Sequence, residues 1–282
     1  MLNMIKMDIY RLFKTKSVYV IWLIWAFLLF GTTYMTSMDI KAAVSQEEHP
    51  QAVEQSEDAE PVELGISVQP PTKIGEKVTV YDMVWSNIQG KVIALFIVIF
   101  AVLFSTADSN SGYIKNIGGQ VRKRWGLIVS KAVAIFVFIL CTMGLSVVLQ
   151  AVSNGVILGY LRWGNLQDFG SYFVIQFFLH FALALICMTV AILIRNNVVT
   201  MIFAVCLCMN VLTLFYSAID RIVHKMGYQD FCLLEHLVTG KISLLPMTIT
   251  QKAGCGAIAV SVAFIIGMLV FSSIVFEKRD IV

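Results

Sequence analysis

Six stretches of this chain, near 17–36, 88–107, 127–150, 172–194, 198–218 and 253–276, are each long and apolar enough to be candidates for a membrane span. A helix crossing the hydrocarbon of a bilayer needs about 20 mostly apolar residues. Nothing else in the sequence limits the fold so severely. Lipid offers no partner to backbone N–H and C=O groups, so the spanning segments must be helices that satisfy them internally. With 58% hydrophobic and 14% charged residues and a mean hydropathy of +0.80, water is the wrong solvent for this chain. The expectation is an all-α membrane protein of six transmembrane helices in a single domain, 1–282.

Charge sets the expected orientation. With the N-terminus inside and all six segments crossing, the inner side holds twelve of the 21 basic residues but four of the 18 acids. The dense clusters, Arg11, Lys14 and Lys16 before the first span and Arg122, Lys123 and Arg124 before the third, fall on short inner segments. Lys and Arg near span ends are retained on the cytoplasmic face. Both termini are therefore expected in the cytoplasm, with the protein multi-pass in a plasma membrane. The formal charge of +3 is small and spread out, which gives nucleic acid no basic surface to bind. The first apolar stretch ends in GTTYMTSM, without a small-x-small cleavage site, and reads as an uncleaved anchor.

The ends and loops carry more pattern. In LNMIKMDIYRLFKTK (2–16), Leu2, Ile5, Ile9, Leu12 and Phe13 share one helical face, while Lys6, Asp8, Arg11 and Lys14 lie around the other. That pattern predicts an interfacial helix feeding the first span. Residues 37–87 form a large outer loop whose first half is acidic and punctuated by proline. Two readings of it stand, a lure for cationic substrates or a solvated loop kept out of lipid by its charge. Within it, 78–87 is expected to rest on the outer interface through Tyr81 and Trp85, as aromatic belt residues do. The outer segment 219–252 carries a short apolar patch, Phe231, Leu233, Leu234, Leu237 and Val238, interrupted by Gly240 and Pro246. It predicts interfacial or half-inserted helices before the last span.

Catalytic chemistry has little support. The four histidines make no H-E-x-x-H, no G-x-S-x-G elbow occurs, and there is no G-x-x-x-x-G-K-[ST] phosphate loop. Cys206 and Cys208, two apart, do not have the spacing of a zinc pair on a helix, and no metal site is expected. The polar residues inside spans are Gln150, Gln176, His180 and Asn210, and no Asp, Glu or Lys is expected mid-span. Gln176 and His180, four apart, share a helical face. Gln176, His180 and Asn210 are candidates for a substrate path or dimer seam, or else they are simply bonded to a neighbouring helix.

Between the second and third spans runs DSNSGYIKNIGGQVRKR, a polar and basic loop (108–126 in the expected layout). Asp108 or Ser109 can cap a short helix that Gly118-Gly119 then breaks. With the surface helix ahead of the first span and both ends inside, this loop resembles that of the permease subunits of type-2 ATP-binding-cassette exporters. It is similar to an acidic-x-x-x-G-[ST]-x-K-N pattern there, matched by Asp108, Gly112, Lys115 and Asn116, with Tyr113 in place of a small hydroxyl residue. The run RKRWGLIVSK into the third span and the long outer segment before the last span also look like that family.

The resemblance implies a non-catalytic permease that works as a homo- or heterodimer with a separate soluble ABC ATPase. ATP and Mg would be held by that partner, with no cofactor in this chain. Residues 2–16 would be an elbow helix. A cytoplasmic coupling helix, with Asp108, Ser109, Gly112, Tyr113, Ile114, Lys115 and Asn116 as its contact residues, would seat in the ATPase. The large outer loop and small size resemble permeases that expel amphipathic peptides, including bacteriocin and lantibiotic immunity systems. The alternative is a membrane sensor or receptor subunit that binds a ligand through the outer loop without transport.

Overall fold

A computed structural model describes residues 2–47, 71–72, 76–110, 125–194, 196–225 and 232–278. Among them the protein is all helical: α1 (Leu2–Lys14), α2 (Lys16–Glu47), α3 (Val80–Gln89), α4 (Val92–Asn110), α5 (Trp125–Ser153), α6 (Leu166–Ile194), α7 (Asn197–Cys208), α8 (Thr213–Lys225), α9 (Val238–Leu244) and α10 (Gln251–Lys278). A π-helical turn, Asn154–Leu158, continues α5, and a 3-10 turn, Leu233–His236, precedes α9. Four helices, α2, α5, α6 and α10, are long and apolar enough to cross a membrane, and α3 with α4 makes a fifth if the bent pair counts as one. This is a membrane protein.

The amphipathic start forms the expected helix. α1 buries Asp8 and Leu12 and leaves Leu2, Tyr10 and Phe13 exposed beside Lys14. It turns into α2 at Thr15, where the Thr15 hydroxyl donates to Arg11 O (2.6 Å) and the Tyr19 hydroxyl to Phe13 O (2.8 Å). α2 then runs on to Glu47, eleven residues past the expected end of the first span at 36.

Two expected spans are not single helices. The apolar run 88–107 is preceded by eight more helical residues, 80–87, and the combined segment bends by 54° between α3 and α4. The start of α3 is fixed locally by a capping box. Asp82 N–H donates to Thr79 Oγ1 (3.1 Å), and Thr79 N–H donates to Asp82 Oδ2 (2.7 Å). Tyr81 and Trp85 consequently do not lie in an interfacial loop. Tyr81 is buried on α3, its ring 5.2 Å from Phe169 and 5.7 Å from Tyr172. Its hydroxyl donates to Met247 O (2.7 Å), while Trp85 Nε1 donates to Leu245 O (3.1 Å).

The run 198–218 is likewise broken. α7 stops at Cys208, a turn follows, and the amphipathic α8 begins at Thr213. At about 1.5 Å per residue, the 12 residues of α7 cover only ~18 Å. The Asn196 side chain caps its start, accepting from Val198 N–H (3.0 Å) and Val199 N–H (3.3 Å).

α6 lies at the centre, with α4, α5, α7, α9 and α10 packed around it. Of the patch expected to be interfacial, Phe231 lies outside the described residues, Leu233 and Leu234 fall in the 3-10 turn, and Val238 opens α9, which is set into the bundle with Val238 and Ile242 buried. Its fit depends on Gly240, where an added Cβ would fall 1.8 Å from Leu234 O. All six cysteines are free, Cys232 and Cys255 included.

Candidate functional site

The sequence singles out two places, a surface loop and a set of polar residues inside spans. Asp108 and Ser109 belong to the last turn of α4. Gly112, Tyr113, Ile114, Lys115 and Asn116 lie outside the described residues, as do Arg122, Lys123 and Arg124. The frame on either side of that loop is well defined. From the first turns of α5, Lys131 reaches back to the end of α4, its Nζ donating to Phe104 O at 3.3 Å and standing 5.3 Å from the Phe104 ring centroid. One residue earlier, the Ser130 hydroxyl donates to buried Asp8 on α1. Arg11 approaches the same carboxylate at 3.8 Å. Met4 of α1 rests beside Gly126. A buried carboxylate and a buried ammonium are costly unless bonded, and here each is. Thus α1, the end of α4 and the start of α5 form one bonded joint. Lys14 turns to Tyr10 (3.3 Å to the hydroxyl), and Lys16 is exposed at the start of α2.

Inside the bundle, polar side chains gather in three groups. The first follows a stripe on α5, where Thr142, Ser146, Gln150 and Asn154 recur every four residues and so share a face. Trp22 Nε1 donates to Thr142 Oγ1 (3.0 Å) and Trp25 Nε1 to Ser146 Oγ (2.8 Å), which fixes α2 along α5. Gln150 Nε2 donates to Thr33 Oγ1 and to Asn154 Oδ1, both at 2.9 Å. Asn87 Nδ2 of α3 completes the group through Met83 O (2.8 Å) and, at 3.4 Å, Gln150 Oε1. The stripe ends in the π-helical turn, a distortion that often marks functional positions.

The second group is on α6. Gln176 Nε2 donates to the Tyr172 hydroxyl and to Ile242 O of α9, both at 3.1 Å. His180 Nδ1 lies 2.7 Å from Gln176 O, and since a carbonyl accepts, Nδ1 carries the proton. Both residues lie on one helical face, as their spacing predicts, and both are fully buried. Five buried atoms in these two groups, Asn87 Oδ1, Ser153 Oγ, Asn154 Nδ2, Gln176 Oε1 and His180 Nε2, have no partner among the described protein atoms.

Asn210, the third residue of the predicted interior set, belongs to a different group. It sits in the turn after α7 and accepts from Lys91 Nζ. Lys91 is the residue the sequence reading missed. It occupies the bend between α3 and α4, is only 2% exposed, and makes no ion pair among the described residues. The sequence reading, which expects no Lys mid-span, counts Lys91 among the outer charges, whereas the structure buries it among the helices. The available signal was Gly90-Lys91 interrupting an otherwise apolar segment, which reads equally well as the polar edge of a shorter span. An ionisable side chain among membrane helices is rare enough to mark function by default.

Chemically, this interior offers neutral amides, hydroxyls, one imidazole and one amine. No group of three metal-ligating side chains occurs among the described residues. The set can bind helices together, or line a polar passage where helices are broken.

A family model described as a protein of unknown function (DUF2705) matches residues 62–282, and the chain belongs to that family. The match includes the bent pair, all three polar groups except the α2 side chains, and α10, while α1 and α2 precede it. No curated protein matches the chain.

Proposed function

We propose that this DUF2705 family member is the non-catalytic permease subunit of an ATP-driven exporter. In this reading it spans the plasma membrane six times with both ends in the cytoplasm, the broken α7 segment included. It works as a homo- or heterodimer and moves amphipathic or antimicrobial peptides out of the membrane or cell. α1 is its elbow helix, and residues 109–117 are the coupling helix that a separate ABC ATPase engages. ATP and Mg belong to that partner.

The observation that carries the reading is the joint at the mouth of the 108–124 loop. Through Lys131–Phe104 and Ser130–Asp8, the helices entering and leaving the loop are bonded to each other and to the surface helix. A push on the loop would then reach α1, α4 and α5 together instead of being lost in one flexible connection. The α3–α4 bend with Lys91 and the polar stripe of α5 lie at the far ends of two of those levers.

Co-purification and ATP hydrolysis test this. A soluble ATPase should come down with the intact chain in detergent, and Lys115→Glu or Gly112→Pro should uncouple it, because proline breaks a helix by removing a donor and clashing with the preceding turn. Peptide flux in reconstituted vesicles should fall with the coupling. ATPase activity and flux that are unchanged in both variants, or a working unit isolated with no ATPase attached, would refute the proposal. Ligand binding without flux would favour the sensor instead.

A further inference from the structure

Two non-glycine residues among those described adopt a left-handed backbone, Lys91 (φ 59) and Asn210 (φ 57). Each sits at a helix break, and they lie 119 positions apart. Their side chains are hydrogen-bonded to each other. We propose that this pair is a latch that joins two hinges, so that the α3–α4 bend and the α7–α8 turn straighten or fold together.

The argument begins with the backbone. A left-handed conformation brings Cβ of an L-residue against the following carbonyl oxygen, so single residues adopt it only where something else holds them. Asparagine tolerates it better than most, and lysine has no such advantage. Gly90, next door, could have taken the left-handed position at little cost, yet it has φ −69 and the strain falls on Lys91. Locally the bend is held by Gly90 N–H to Ser86 O and Lys91 N–H to Ile88 O, both 2.9 Å. Such bonds end a helix but do not require that the next residue be left-handed and buried. The buried amine supplies that requirement. It must keep a hydrogen-bond acceptor or move to water, and the acceptor it has is Asn210 Oδ1.

The dependence is mutual. Without Lys91, the turn at 209–212 loses its anchor, and the 29 residues from Asn197 to Lys225 could become one helix as long as α5 or α6. Without Asn210, the Lys91 amine must seek water, which loosens the bend where α3 meets α4. α4 and α7 are already packed together, so motion of one break is passed to the other. Asn210 is partly exposed while Lys91 is not, so the latch can be reached from one side. The proposal is independent of the exporter reading and would hold for a sensor as well.

Amide hydrogen exchange on the full chain in nanodiscs of phosphatidylcholine and phosphatidylglycerol tests it. Asn210→Gly keeps a residue that accepts the left-handed turn but removes the acceptor, and Lys91→Met removes the donor. Either should speed exchange about tenfold at both breaks, 88–94 and 208–213, as expected for local opening. Asn210→Asp keeps the turn and adds a charge partner for Lys91, so it should slow exchange at both. Faster exchange confined to the substituted break would overturn the latch. So would Asn210→Asp behaving like Asn210→Gly, or faster exchange spreading equally through α6, which would mean that the pair merely holds the fold.

Discussion

α6 and α10 are nearly the same length, and their most apolar windows have the same hydropathy, 2.6, yet 72% of the α6 window is buried inside the protein and only 11% of the α10 window. Hydropathy therefore identifies the solvent a helix tolerates and says nothing about its neighbours. The difference lies in the polar side chains. On α6, His180 and Thr189 bond to their own helix, but Gln176 reaches outward to Ile242 O of α9 and the Tyr172 ring packs on Tyr81 of α3. Those of α10 turn inward on their own helix, Ser261 to Ile258 O and Ser272 to Leu269 O. Along its exposed face α10 presents Ile258, Val262, Ile266, Val270 and Ile274. Together the two helices wall an open apolar groove of about 540 Å³, lined by Thr189, Leu193, Gly267 and Phe271 among others. In lipid, apolar faces gain little by meeting one another, and polar bonds with close packing decide which helix goes inside.

The contrast can be broken most severely at the cover over α6. Gly240→Ala places a methyl group against Leu234 O, so α9 must move off the bundle and release Gln176. A loss of about 3 kcal/mol is expected, as for severe overpacking, measured by reversible unfolding in mixed micelles. A smaller substitution sharpens the same comparison. Leu183→Ala on α6 should cost roughly 2–3 kcal/mol through the cavity it leaves, while Ile266→Ala on α10 should cost less than about 0.5 kcal/mol. Equal losses in native membranes would mean that protein, not lipid, covers that face of α10. The smallest effect separates the two kinds of polar side chain. Gln176→Leu strands Ile242 O and the Tyr172 hydroxyl and should cost about 1 kcal/mol. Ser261→Ala, which removes only a bond to its own helix, should be indistinguishable from the parent in thermal unfolding.

The long uninterrupted helices were legible because their signal is additive. In α2, α5, α6 and α10 every residue of a 20-residue window contributes to the hydropathy, and no single position decides it. The breaks were not legible because each depends on one contact distant in sequence. Asn210 stands out in the sequence as a polar residue inside a span, but nothing there pairs it with Gly90-Lys91 until the fold brings them together. Tyr81 and Trp85 show the same limit, since an amphipathic ring suits a membrane interface and a polar contact inside a bundle equally well. At the candidate site, Gln176 and His180 were found because their spacing is local. The α5 stripe was visible in principle from Thr142, Ser146, Gln150 and Asn154, but Asn154 lies past the expected span end at 150 and the small hydroxyls of Thr142 and Ser146 draw no notice beside Gln150. The coupling segment, 111–124, lies outside the described residues and stays with the resemblance that suggested it.

The 32 residues of α2 reach about 48 Å, against the ~30 Å thickness of bilayer hydrocarbon. At the tilt of about 20° common for membrane helices it still rises ~45 Å, so its final turns outrun the hydrocarbon as a mast. An epitope tag placed at the end of α2 is thus carried beyond the hydrocarbon, where an antibody can reach it from the aqueous phase.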